Sequence, residues 1–158
     1  HEVRLPGMVV RPDELREPEI AVEIERVGPE AAEAANAALA AAFSAPAEIF
    51  ARLNDALERV PGVRLYVGRV GGEVASTAVG CTLDGAVGLF NVATEEAHRR
   101  RGYGAVLTAR AVRDGFAAGA ELGYLQSSKA GHGVYRALGF RDVEEYVLLG
   151  RPLPAPTG

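Results

Sequence analysis

The sequence is poor in residues that build covalent or metal cross-links. Cys81 is the only cysteine in 158 residues, which excludes an internal disulfide. His1, His98 and His132 fall into no metal-ligand spacing with it, so no metal is expected. Lys129 is the sole lysine, and arginine carries nearly all of the positive charge. Long apolar runs are missing too: Gly, Arg or Glu breaks each one well short of the ~18 residues a membrane span needs. With no charged-then-apolar signal peptide either, the chain reads as cytoplasmic and free of membrane. A net charge of −4 removes the basic face that nucleic-acid binding requires. The one basic cluster, Arg99 to Arg101, is better suited to a small anion. The chain opens at His1, without methionine, as a tag remnant or a fragment of something longer would.

What is present is a globular balance, 48% hydrophobic and 24% charged, over a length that suits one core. Residues 1–19 hold Pro6, Pro12 and Pro18 around the apolar stretch Leu5 to Val10. They read as an N-terminal extension with no more than an edge strand. A single domain over 20–150 and a flexible tail over 151–158 complete the organisation. Ile20, Val22 and Ile24 alternate with polar or small residues, the period of a half-buried strand. Pro29 and Glu30 suit a first helical turn, and an alanine-rich helix runs from there to Phe43. A second helix starts after Ser44 and places Phe50, Leu53, Leu57 and Val60 on one face. Three β-rich runs follow, Val63 to Val70, Val74 to Leu83 and Ala86 to Ala93. The hairpin dipeptides Gly71-Gly72 and Asp84-Gly85 separate them.

From Tyr103 to Gly119, Ala105, Ala109, Val112 and Phe116 share a helical face. The strand Leu122 to Ser127 then returns parallel to the one ending at Ala93, because strand–helix–strand connections cross over right-handedly. A short helix from about Gly131 to Leu138 and a last pair of strands, Phe140 to Asp142 and Glu144 to Leu149, end the domain.

Between the meander and the long helix stands Arg99-Arg100-Arg101-Gly102-Tyr103-Gly104. Unpaired N–H groups and the positive end of the helix dipole meet there, which makes an anion site. The glycines let backbone approach a phosphate, and guanidinium groups supply charge. A P-loop is excluded, since Ala105 and Val106 follow Gly104 where Lys and Ser/Thr are needed. A dinucleotide fingerprint fits poorly, with Leu107 at the place of its third glycine. The pattern Arg/Gln-x-x-Gly-x-Gly/Ala after an antiparallel meander fits in full. In this, and in Tyr135-Arg136-Ala137-Leu138-Gly139-Phe140, which is similar to a Tyr-x-x-Leu-Gly-Phe segment, residues 20–149 resemble the GNAT superfamily of acyl-CoA N-acyltransferases.

The resemblance implies an α/β fold of the α+β type. Its mixed, mostly antiparallel central sheet has splayed, parallel fourth and fifth core strands and about four flanking helices. It also implies acetyl-CoA as donor: Val92, Ala93 and Thr94 would offer backbone to the pantetheine arm, and Arg99, Arg100, Arg101, Gly102, Tyr103, Gly104 and Ala105 would hold pyrophosphate. Ser128 stands where many members have a cofactor-binding asparagine. Tyr135 would be the general acid that protonates the leaving thiolate, as a phenol with an ordinary pKa near ~10 can. The partner implied is a small-molecule or protein amine, with a homodimer left open. A general base is harder to find. Many relatives carry a strand glutamate where this chain has Gly88-Leu89-Phe90-Asn91-Val92, which leaves Glu95, Glu96, His98, His132 or ordered water. The missing carboxylate keeps a second reading alive, a CoA-binding regulatory domain or the second half of a larger acyltransferase.

Overall fold

A computed structural model describes residues 2–27, 32–57 and 59–150. The expected helix start at Pro29 and Glu30 and the tail 151–158 lie outside the described residues. In chain order the elements are strands β1 (Glu2–Val10) and β2 (Glu23–Val27), then helices α1 (Ala32–Phe43) and α2 (Ala47–Leu57). The meander follows as β3 (Val63–Val70), β4 (Glu73–Leu83) and β5 (Ala86–Thr94). Helix α3 (Tyr103–Ala117), β6 (Leu122–Gln126), α4 (His132–Ala137) and β7 (Arg141–Leu149) complete the order.

The seven strands form one sheet in the order β2-β3-β4-β5-β6-β1-β7, and only β5 and β6 pair in parallel. The mixed α/β fold expected from the sequence is therefore present. Both meander turns place two residues at positive φ, 60° and 84° at Gly71-Gly72 and 49° and 78° at Asp84-Gly85. That is the twist a two-residue hairpin needs. Alternation along the strands divides the core in two. Tyr66 and Ala78 face α3 in the larger cluster, which also takes Met8, Val87 and Leu125, while Leu65, Val67 and Val79 face Ala35 of α1.

Three sequence expectations need correction. Residues 1–19 are not an extension with at most an edge strand: β1 lies inside the sheet, antiparallel to β6 on one side and β7 on the other, with Met8, Val9 and Val10 buried. Pro6, which lacks an N–H, stands where β1 pairs with β7 alone, just before its pairing with β6 begins at Gly7. The last pair of strands is one strand, β7. Its register jumps from Gly7↔Glu144 to Met8↔Asp142, so Val143 is a single extra residue, a bulge inside one strand where the expected pair of strands was divided. On α3 the expected face is the one that packs on the core: Ala109 and Val112 are buried, the half-buried Ala105 and Phe116 pack against the same cluster, and Leu107, Thr108, Ala111 and Gly115 are buried beside them. The first core strand also starts later than its alternation suggested, at Glu23.

Candidate active site

Strands β5 and β6 pair from Ala86↔Leu122 to Leu89↔Leu125 and no further, although β5 runs on to Thr94. The gap that opens is a cleft of about 680 Å³. Val92 and Thr94 form one wall, Arg99, Arg100 and residues 102–105 the floor, and Ser128, Ala130, Gly131, Val134 and Tyr135 the other wall.

A bulge diverts β5. Its register with β4 passes from Thr77↔Ala93 to Val79↔Phe90, so Ala78 alone opposes both Asn91 and Val92. Asn91 takes φ +50°, a left-handed conformation that asparagine tolerates better than most residues. Thr77 Oγ1 donates to its carbonyl at 3.3 Å. The bulge breaks the ladder and leaves backbone groups of β5 unpaired beside the cleft. The sequence reading took Asn91 as a missing carboxylate that could at most order water, and the signal passed over was the residue type itself. Just beyond, Ser76 Oγ donates to the Ala93 carbonyl at 2.7 Å and lies 3.1 Å from Thr94 Oγ1. The Ala93 side chain packs with Leu39 and Phe50 and does not line the cleft, so any contact from Ala93 is through backbone.

After β5 a single 3-10 turn, Glu96–His98, leads into the arginines. Arg99 Nε donates to the Thr94 carbonyl at 3.2 Å, tying the loop to the strand. Arg100 stands at φ +62° and Gly102 at φ +81°. Left-handed residues of this kind turn neighbouring N–H groups into an anion-binding concavity. The first bond of α3 runs from Val106 N–H to the Gly102 carbonyl at 3.1 Å, which leaves the N–H groups of Tyr103, Gly104 and Ala105 without helical partners. No side chain caps this end and no acid sits in its first turn, so the positive end of the dipole is open to a ligand. The three guanidinium groups are not equivalent: Arg99 and Arg100 line the cleft, whereas Arg101 is exposed and does not. The glycines also do more than clear a path for an anion. A Cβ on Gly104 would lie 3.2 Å from Thr94 Oγ1, and one on Gly102 would run into Ile20, so both permit close packing of the loop.

Across the cleft, Tyr135 is half-buried and its hydroxyl has no hydrogen-bond partner among the described residues. Burial pushes the phenol pKa up, which keeps the proton on oxygen at neutral pH. The ring stands edge-on to Phe140 at 6.0 Å and lies over Gly131, where a Cβ would come within 2.9 Å of Tyr135 Cε2. Ser128 Oγ accepts the Gly131 N–H at 3.1 Å, so part of its hydrogen-bonding capacity holds the turn before α4, while its own hydrogen remains free to donate. Ala130, Gly131 and Val134 line the wall without having been singled out from sequence. Their residue types carry no chemical signal.

None of the candidate bases lines the cleft. His132 Nε2 is 2.8 Å from Asp142 Oδ1, and that bond is the main cause of the lowered Asp142 pKa. His98 packs toward Tyr103 at 6.1 Å with Nδ1 buried and unpartnered. Glu95 and Glu96 stay on the loop outside. The site can thus hold an anion on backbone amides and two arginines, accept an extended arm against an unpaired strand, and offer one protonated phenol.

The Acetyltransferase (GNAT) family matches residues 31–140. The chain belongs to the GNAT acetyltransferase family. It is similar to a GCN5-related N-acetyltransferase from Kribbella flavida at 31% identity and a TM-score of 0.70, covering 89% of this chain and 55% of that one. A GCN5-related N-acetyltransferase from Sphaerobacter thermophilus shares the fold at 20% identity and TM-score 0.73, over 91% of this chain and 50% of that one. An acetyltransferase from Trypanosoma brucei does so at 19% identity and TM-score 0.71, over 83% of this chain and all of that one. The chain therefore spans about half the length of the first two structures. No curated protein matches it. GNAT proteins generally use acetyl-CoA, and the anion-binding floor and unpaired strand edge suit its pyrophosphate and pantetheine. Among the described residues no cluster of metal-ligand side chains occurs, and no helix is long and apolar enough to cross a membrane.

Proposed function

We propose that this GNAT domain moves an acetyl group from acetyl-CoA directly to a primary amine. The observation that carries the reading is the unpartnered Tyr135 hydroxyl in the same cleft as the open N-terminus of α3. The donor supplies an acyl group activated as a thioester, and transfer breaks its C–S bond as the amine nitrogen forms a C–N bond. Tyr103, Gly104 and Ala105 N–H groups, with Arg99 and Arg100, hold the pyrophosphate. Unpaired backbone at the Asn91–Val92 bulge faces the arm and polarises the carbonyl, a role that needs no side chain. Tyr135 Oη gives its proton to the departing sulfur. The proton lost by the amine leaves through water, because among the described residues no carboxylate or imidazole lines this cleft.

That last observation also favours a second reading, an acyl-CoA-binding domain that regulates or completes a larger acyltransferase. Incubation with acetyl-CoA and a panel of primary amines, followed by release of free thiol, separates the two. Amine-dependent thiol release supports transfer. Thermal stabilisation by acetyl-CoA with no release from any amine would instead favour the binding domain.

A further inference from the structure

Gly102 is hemmed in by a residue remote in sequence. A Cβ on it would collide with Cδ1 of Ile20, whose Cγ1 would lie 3.7 Å away. Ile20 is carried by residues 11–22, the connection from β1 to β2, and this strap is tied at several points. Arg16 N–H donates to the Leu138 carbonyl, just past α4, at 2.9 Å. Glu17 pairs with Arg113 of α3 at 2.8 Å. The Glu14 carbonyl occupies the space a side chain on Gly139 would need, and Leu15 and Val22 pack on the core. The strap therefore touches the end of α4, the flank of α3 and the loop before α3, which between them carry the floor and one wall of the cleft.

Glycine adopts either sign of φ with similar ease, so a glycine at φ +81° needs a neighbour that selects that state. We propose that Ile20 is a positioning residue of the donor site. Its side chain, packed on Gly102 from outside the cleft, holds the left-handed turn that aims the Tyr103, Gly104 and Ala105 N–H groups inward. The inference rests on the donor reading above and adds a residue with no place in the family motif.

Acetyl-CoA titration by calorimetry tests it on the full chain. Ile20→Ala should weaken binding about fivefold, while Ile20→Val, which keeps the branched contact, should stay within about twofold of the parent. Val63→Ala trims the core on the α1 side of the sheet and serves as a stability control, with affinity unchanged. Hydrogen exchange without ligand gives an independent readout: Ile20→Ala should speed exchange at residues 102–106, and Val63→Ala should not. Parental affinity and parental exchange in Ile20→Ala would overturn the proposal. If the parent protein failed to bind acetyl-CoA, the donor reading would fall, and the exchange data would still decide the role of Ile20.

Discussion

Helices α3 and α1 meet opposite faces of one sheet, and α2 is held mainly to α1, so α3 and α2 are fastened differently. Helix α3 comes close because glycines remove side chains from the contact. A Cβ on Gly115 would lie 2.5 Å from Val87 Cβ, and one on Gly68 would lie 2.8 Å from Leu107. Helix α2 rests on Phe50, while Ile49 and Leu53 remain 55% and 40% exposed. Its apolar spacing is helical, but the stripe is wider than the surface it covers. The helix that aims backbone amides at the cleft is thus fixed by side chains seated directly on glycine positions, and α2 is attached by one ring against Leu39 and alanines. Precision is concentrated where, on the proposed function, the donor sits.

Substitutions can break that comparison, and the largest effect is expected in the α3 contact. Gly115→Val should cost about 3 kcal/mol of stability in chemical denaturation, since all three nearest atoms belong to Val87 and overpacking cannot relax toward solvent. Next comes the chemistry above that contact. Tyr135→Phe should lower the turnover of the best amine roughly 100-fold, with acetyl-CoA affinity almost unchanged, because only the phenolic hydroxyl is lost. Steady-state kinetics beside direct binding would show the split. Gly102→Val should produce the opposite split, roughly tenfold weaker binding, through the strained φ and the collision with Ile20. On the α2 side, Leu53→Ser should change stability by no more than about 0.5 kcal/mol, as an exposed substitution does. A melting temperature matching that of Gly115→Val would erase the contrast between the helices.

Much of the fold could be read locally. The hairpin dipeptides bounded β3 and β5 almost to the residue, because two-residue turns demand glycine or aspartate at positive φ. The place of β1 could not be read, since its partners lie in 123–126 and 141–149 and period-2 alternation names no partner. Val143 was misread for a related reason: one extra residue interrupts alternation just as the end of a strand does. In the site, the residues expected to hold the donor or protonate its thiolate fell around one cleft apart from Ala93 and Arg101. Runs of arginine say nothing about which guanidinium faces inward, and that depends on the left-handed turns at Arg100 and Gly102.

The central claim is that the N-terminus of α3 and the bulged end of β5 together receive acetyl-CoA. Backbone amide exchange with and without acetyl-CoA addresses it most directly. The account predicts new protection concentrated at 92–94 and 102–106, with β7 and α2 unaffected. Protection confined to other elements, or none at saturating acetyl-CoA, would contradict it.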